Sequence, residues 1–160
     1  MKLLRIVLIA TALCVTTMVA AFAQERSKAE VKIGEMVKQF EACNGVQCVT
    51  VAKGSGLGLV KAMFNQQFGK EFMKGVTSIT IINYSDASAE TCAALRQEIE
   101  SLGEILMDFK MGENKEFSEY SYAKSLADLQ EDGSISDFVT VLEDKETKML
   151  MYMSGKIAIK

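Results

Sequence analysis

The spacing of apolar residues changes its period for good near residue 112, and that change limits the folds open to this chain. Upstream, Leu95, Ile99, Leu102, Leu106 and Phe109 step by four, three, four and three, the stripe of an α-helix and not one face of a strand. Downstream of the turn Gly112-Glu113-Asn114, three short segments read as strands: Phe117 to Lys124, Ser134 to Leu142 and Met149 to Met153. The turn-like runs Glu131-Asp132-Gly133 and Glu143-Asp144-Lys145-Glu146 separate them.

Earlier elements alternate in type. Ile33, Met36, Val37 and Phe40 recur at helical spacing between Glu25 and Ala42, and Asn44-Gly45 stops that helix. Val46 to Ala52 reads as a strand, Gly54-Ser55-Gly56 turns the chain, and Val60, Phe64, Phe68 and Phe72 stripe a second helix that Lys74-Gly75 ends. Val76 to Tyr84 is the strongest strand candidate, and Ser85, Asp86 or Ser88 can cap the helix that follows. Helix, strand, helix, strand, helix and then three successive strands predict an α+β fold. We expect about five strands in a largely antiparallel sheet, with helices packed on one face. With 49% hydrophobic residues the chain can bury a core, and no Gly/Ser linker or repeat divides residues 24–160, so a single domain is expected there.

Residues 1–23 read as a secretory signal peptide. Lys2 and Arg5 precede an apolar run from Ile6 to about Val19, and Ala21-Phe22-Ala23 is a small-x-small cleavage site. Cleavage there predicts a periplasmic or secreted chain starting near Gln24, with no transmembrane helix in the mature chain. Leu13 rather than a small residue precedes Cys14, which argues against a lipid anchor. Losing Lys2 and Arg5 moves the net charge from −3 to −5. Residues 97–160 hold fourteen acidic and seven basic residues, with no Lys/Arg cluster, and so nucleic acid is not an expected partner.

The absence of His removes Ser/His/Asp and Cys/His relays and His-bearing zinc sites. Cys43, Cys48 and Cys92 remain after cleavage, an odd number. Cys43-Asn-Gly-Val-Gln-Cys48 has a turn inside it that can bring the two thiols within bridging distance, so a Cys43–Cys48 disulfide and three buried thiols stand as alternatives. Gly54-Ser55-Gly56-Leu57-Gly58 lacks both the dinucleotide and the phosphate-loop pattern and reads as a flexible helix start. Met149, Met151 and Met153 alternate on one strand face; thioethers so arranged can bind copper(I), but filling the core explains the same period. The acid pairs Glu131-Asp132 and Glu143-Asp144 fall at turns, and the run from Asp128 to Gly133 lacks the calcium-loop order. Tyr120 and Tyr122 share a strand face with Lys124 and mark a candidate interaction surface.

The segments Met63-Phe64, GVTSITII (75–82), LGEILMDFK (102–110), SISDFVTVLED (134–144) and MLMYMSGKI (149–157) together resemble the domain of unknown function 4252 family. Its members are small secreted or lipid-anchored envelope proteins of the Bacteroidetes. The resemblance implies a cell-envelope location in a Gram-negative bacterium and, more weakly, a link to envelope-stress signalling through neighbouring sigma-factor genes. It carries over no catalytic residues. The expectation is a non-catalytic binding module for a protein or small ligand of the envelope, with no catalytic, cofactor-binding or metal residues assigned. The alternative is a small periplasmic hydrolase or redox enzyme using carboxylates or a cysteine.

Overall fold

The computed structural model describes residues 26–52, 54–68, 71–109 and 120–158. The expected signal peptide with Cys14, the turn Gly112-Glu113-Asn114 and the start of the strand expected from Phe117 lie outside those residues, as do the side chains of Met63, Phe64 and Phe68.

Helix α1 (Lys28–Phe40) begins where the Ser27 Oγ accepts the Glu30 N–H at 3.0 Å, satisfying one of the donors that a helix start leaves open. Ala29, Ile33, Met36 and Phe40 share its buried side. The chain then turns at Gly45, with φ +79°, where a Cβ would stand 2.1 Å from the Asp86 carbonyl oxygen; only glycine fits. Strand β1 (Gln47–Ala52), helix α2 (Ser55–Phe68), strand β2 (Gly75–Asn83) and helix α3 (Ala89–Ser101) follow. Ser88 is the residue that caps α3, its Oγ accepting from the Thr91 N–H at 3.1 Å, and a 3-10 turn (Leu102–Glu104) extends the helix. The chain then forms β3 (Met107–Asp108), β4 (Tyr122–Leu129), β5 (Ile135–Glu143) and β6 (Lys148–Ile157).

The six strands form one antiparallel sheet in the order β1-β2-β6-β5-β4-β3. The last strand thus joins the two halves of the chain, pairing with β2 on one side and β5 on the other. The α+β class and the antiparallel sheet agree with the sequence reading; the strand count is six rather than about five. The added strand is β3, whose Met107 pairs with Ala127. Helical spacing had carried the third helix through Leu106 and Phe109, but the chain leaves helical conformation after Glu104. Both residues are still turned inward, which is why the stripe continued past the helix end.

Register assigns the two faces. The row Thr50, Thr80, Tyr152, Val139, Leu126 and the row Cys48, Ile82, Leu150, Val141 lie under α1 and α3, and with Ile33, Met36, Phe40, Leu95, Ile99 and Leu102 they make one core. Alternate rows, Val51, Ile79, Met153, Phe138 and Val49, Ile81, Met151, Thr140, point the other way. There Leu57 and Val60 of α2, with Met73 and Phe109, complete a second core. Two helices therefore cover one face while α2 contributes to the other, so the helices are not confined to one face as expected from the order of elements. Among the described residues no helix is long and apolar enough to cross a membrane.

Strand β6 runs beyond the expected Met153 to Ile157 because glycines let it approach β2 closely. A Cβ on Gly155, whose φ is +100°, would meet the Gly75 carbonyl oxygen at 2.3 Å, and one on Gly75 would meet that of Lys156 at 2.1 Å. Side chains at either position would push the strands apart.

Candidate functional site

Helix α3 presents Cys92, Arg96 and Glu100 four residues apart, one stripe beside its buried Leu95 and Ile99. The stripe crosses the ends of three strands, and each side chain meets a different one. Cys92 receives the Lys148 Nζ of β6 at 3.6 Å, Arg96 donates to Glu143 Oε2 of β5, and Glu100 accepts from Lys124 Nζ (2.7 Å) and the Tyr122 hydroxyl (2.8 Å) of β4. Lys148, Glu143 and Tyr122 are themselves one row of the sheet, since Glu143 opposes Lys148 on one side and Tyr122 on the other. A single helix stripe thus lies across a single sheet row.

Glu143 anchors this arrangement. Its side chain is only 6% exposed, and its two oxygens take the Arg96 guanidinium and the hydroxyl of fully buried Tyr84, the latter at 2.8 Å. A carboxylate this deep would be costly without partners, and the guanidinium supplies the opposite charge. Burial, then the hydrogen bond to Glu143, drives the Tyr84 phenol far above its usual range, so it stays a donor. The same carboxylate raises the Arg96 pKa still further, mainly through their hydrogen bond. Arg96 nevertheless keeps 52% of its side chain exposed and lies over the Tyr122 ring, 5.1 Å from the centroid.

Tyr122 is half-buried and packs against the core beneath α1 and α3. Burial and the Glu100 carboxylate push its phenol up to about 12, while Lys124 and then the Tyr122 hydroxyl hold the Glu100 carboxyl below its ordinary value. Tyr120, the other half of the expected surface, is also half-buried and lies just before β4. The solvent side of this patch is formed by Arg96 and Glu100, with Tyr122 as its floor. Neither α3 residue stood out in the sequence, although their spacing with Cys92 at one helical interval was visible; which strand residues they would meet was not.

Other candidates fall elsewhere. Cys43, Cys48 and Cys92 are thiols, all half-buried against the same core. Burial first, then Glu41 and Cys43, pushes the Cys48 thiol up to about 11, so it is a poor nucleophile at neutral pH. Met149, Met151 and Met153 are 2%, 8% and 2% exposed and belong to the second core. The acid pairs divide. Glu143 turns inward while Asp144 organises its turn by accepting from the Glu146 and Thr147 N–H groups; Asp132 likewise takes the Ser134 N–H at 3.0 Å and pairs with Lys156. No cluster of three or more His, Cys, Asp or Glu suited to a metal ion occurs among the described residues. Comparison with protein-family models, with curated proteins and with solved structures finds no match to this chain.

Proposed function

We propose that the protein is a non-catalytic binding module of the bacterial cell envelope, resembling the domain of unknown function 4252 family, and that it receives an acidic group of a partner protein at Arg96. The observation that carries this reading is the guanidinium fixed over the Tyr122 ring by buried Glu143 with half of its surface open to water. A guanidinium has five N–H donors, and one carboxylate cannot use them all. Because the pose is already set by the fold, little side-chain entropy remains to be lost when a partner carboxylate arrives. The leader-like residues 1–23 support an envelope location.

Titration with a Glu-rich peptide, followed by NMR, tests the site. The Arg96 side-chain N–H and the Tyr122 ring resonances should move together in the native protein. The Tyr122 ring resonances should stay still in Arg96→Lys, which keeps the charge but loses the planar fork. Immobile resonances in the native protein at millimolar peptide would end the assignment. The location is checked separately by N-terminal sequencing of protein recovered from its host: a first residue near Gln24 is expected, and an intact Met1 contradicts export by cleavage.

A further inference from the structure

The two edges of the sheet differ in a way that concerns association. At one end β3 is two residues long and includes Asp108, a short and charged edge of the kind that discourages pairing. At the other end β1 spans six residues, Gln47-Cys-Val-Thr-Val-Ala52, with no charge and no proline. Among the described residues it pairs with β2 alone. Long, neutral, β-branched edges carry rows of open backbone donors and acceptors, and nothing in this one's composition opposes a further strand.

We propose that β1 is a homodimerisation edge, on which a second copy of the chain adds its own β1 antiparallel to make one continuous sheet. A twofold axis perpendicular to the sheet keeps the faces in register only if one residue of the strand opposes itself. Centred on Thr50, the pairing places Val49 opposite Val51 of the second copy, and Cys48 opposite Ala52. On the α1/α3 face, Thr50 Oγ1 already meets Thr80 Oγ1 at 3.0 Å, so the dimer extends that contact into a ladder of four threonines. On the other face, Val49 and Val51 border Ile81 and Ile79, and the twin's valines prolong the β-branched layer. No like charges are brought together, which is why a second copy suits this edge. The one exposed large apolar residue of α2 among those described, Leu59 at 52% exposed, belongs to the helix that follows β1 directly. Six residues per copy make a small contact, so association should depend on concentration.

Sedimentation equilibrium of the purified protein from micromolar to millimolar concentration is the test. The native chain should pass from monomer to dimer, a doubling of mass. Thr50→Lys and Thr50→Glu should each remain monomeric, because like charges would face each other across the axis. Mixing the two should restore a dimer, and that rescue also shows both variants to be folded. Thr50→Val, which keeps the branched shape, should dimerise like the native protein. A native chain that stays monomeric at millimolar concentration overturns the proposal. So does a Thr50→Lys variant that dimerises undiminished, or a mixture that fails to associate; the last two outcomes would place the contact on another surface or belong to a different partner's strand. The Arg96 patch is untouched by these changes, so the two proposals fail independently.

Discussion

The two faces of the sheet are built on different principles. Beneath α1 and α3, buried hydroxyls and carboxylates thread the core: Tyr84 with Glu143 and Arg96, and Tyr152 with Asp137 at 2.5 Å. The opposite face is filled by Met149, Met151, Met153, Ile79, Ile81 and Phe138, and Ser125 Oγ meets Thr140 Oγ1 at 3.3 Å towards its edge. An apolar layer resists mutation through volume alone, because a thioether or a methyl group has no particular partner. A buried carboxylate is tied to named partners, and each loss leaves another group unpaired. The same sheet therefore holds one face by packing and the other by packing together with specific pairing.

The largest effect should come from opening a void on the methionine face. Met153→Ala removes a 2% exposed side chain from the middle of β6, and urea unfolding should show a loss of about 3 kcal/mol. Met153→Leu, nearly equal in volume, should cost less than about 1.5 kcal/mol. Equal costs for the two would mean that this face also depends on a specific sulfur contact, and the contrast between the faces would break.

On the other face, Glu143→Ala should cost about 2–3 kcal/mol, since it strands the buried Tyr84 hydroxyl while Arg96, half exposed, can regain water. Combining it with Tyr84→Phe sharpens the point: with both polar partners gone, the double variant should lose less than the two single losses added together. Strict additivity in urea melts would show that the carboxylate and the phenol do not act as a pair.

The methionine face was far more legible in the sequence than the face that carries the candidate site. Alternation of Met149, Met151 and Met153 is a local signal with period two, and no knowledge of distant residues is needed to read it as a buried layer. Helices α1 and α3 and strands β2, β5 and β6 were legible for the same reason, each being written in its own residues. The Arg96 site depends on which strand ends lie under one helix stripe: Glu143 is 47 residues from Arg96 in the chain, and Tyr122 is 22 from Glu100. Periodicity places Glu143 next to a turn and exposes it; only pairing of β5 with β4 and β6 turns it inward. Strand β4 was displaced likewise, because Ser125-Leu126-Ala127-Asp128 has weak strand propensity and owes its conformation to β3 and β5 on either side.

The smallest effect at neutral pH separates the faces by titration. Tyr122→Phe removes one hydroxyl bond at the rim and should cost about 0.5–1 kcal/mol at pH 7. Its consequence grows in alkali. The folded-state phenol titrates at about 12 against an ordinary value of 10.0, so below pH 10 both folded and unfolded chains hold the proton and its contribution is whole. As pH climbs from 10 towards 12 the unfolded chain releases that proton first, and stability falls. The Tyr84 and Tyr152 phenols are shifted in the same direction, mainly by burial, and the Cys48 thiol, raised to about 11, adds to the loss from about pH 9 upward. All four groups lie on the α1/α3 face, whereas Met, Ile and Phe do not titrate. Urea midpoints measured from pH 8 to 11.5 should therefore decline less steeply in Tyr122→Phe than in the native protein, and with unchanged slope in Met153→Leu. A flattened slope in Met153→Leu, or an unaltered one in Tyr122→Phe, would show that the alkaline sensitivity does not belong to the face that holds Arg96.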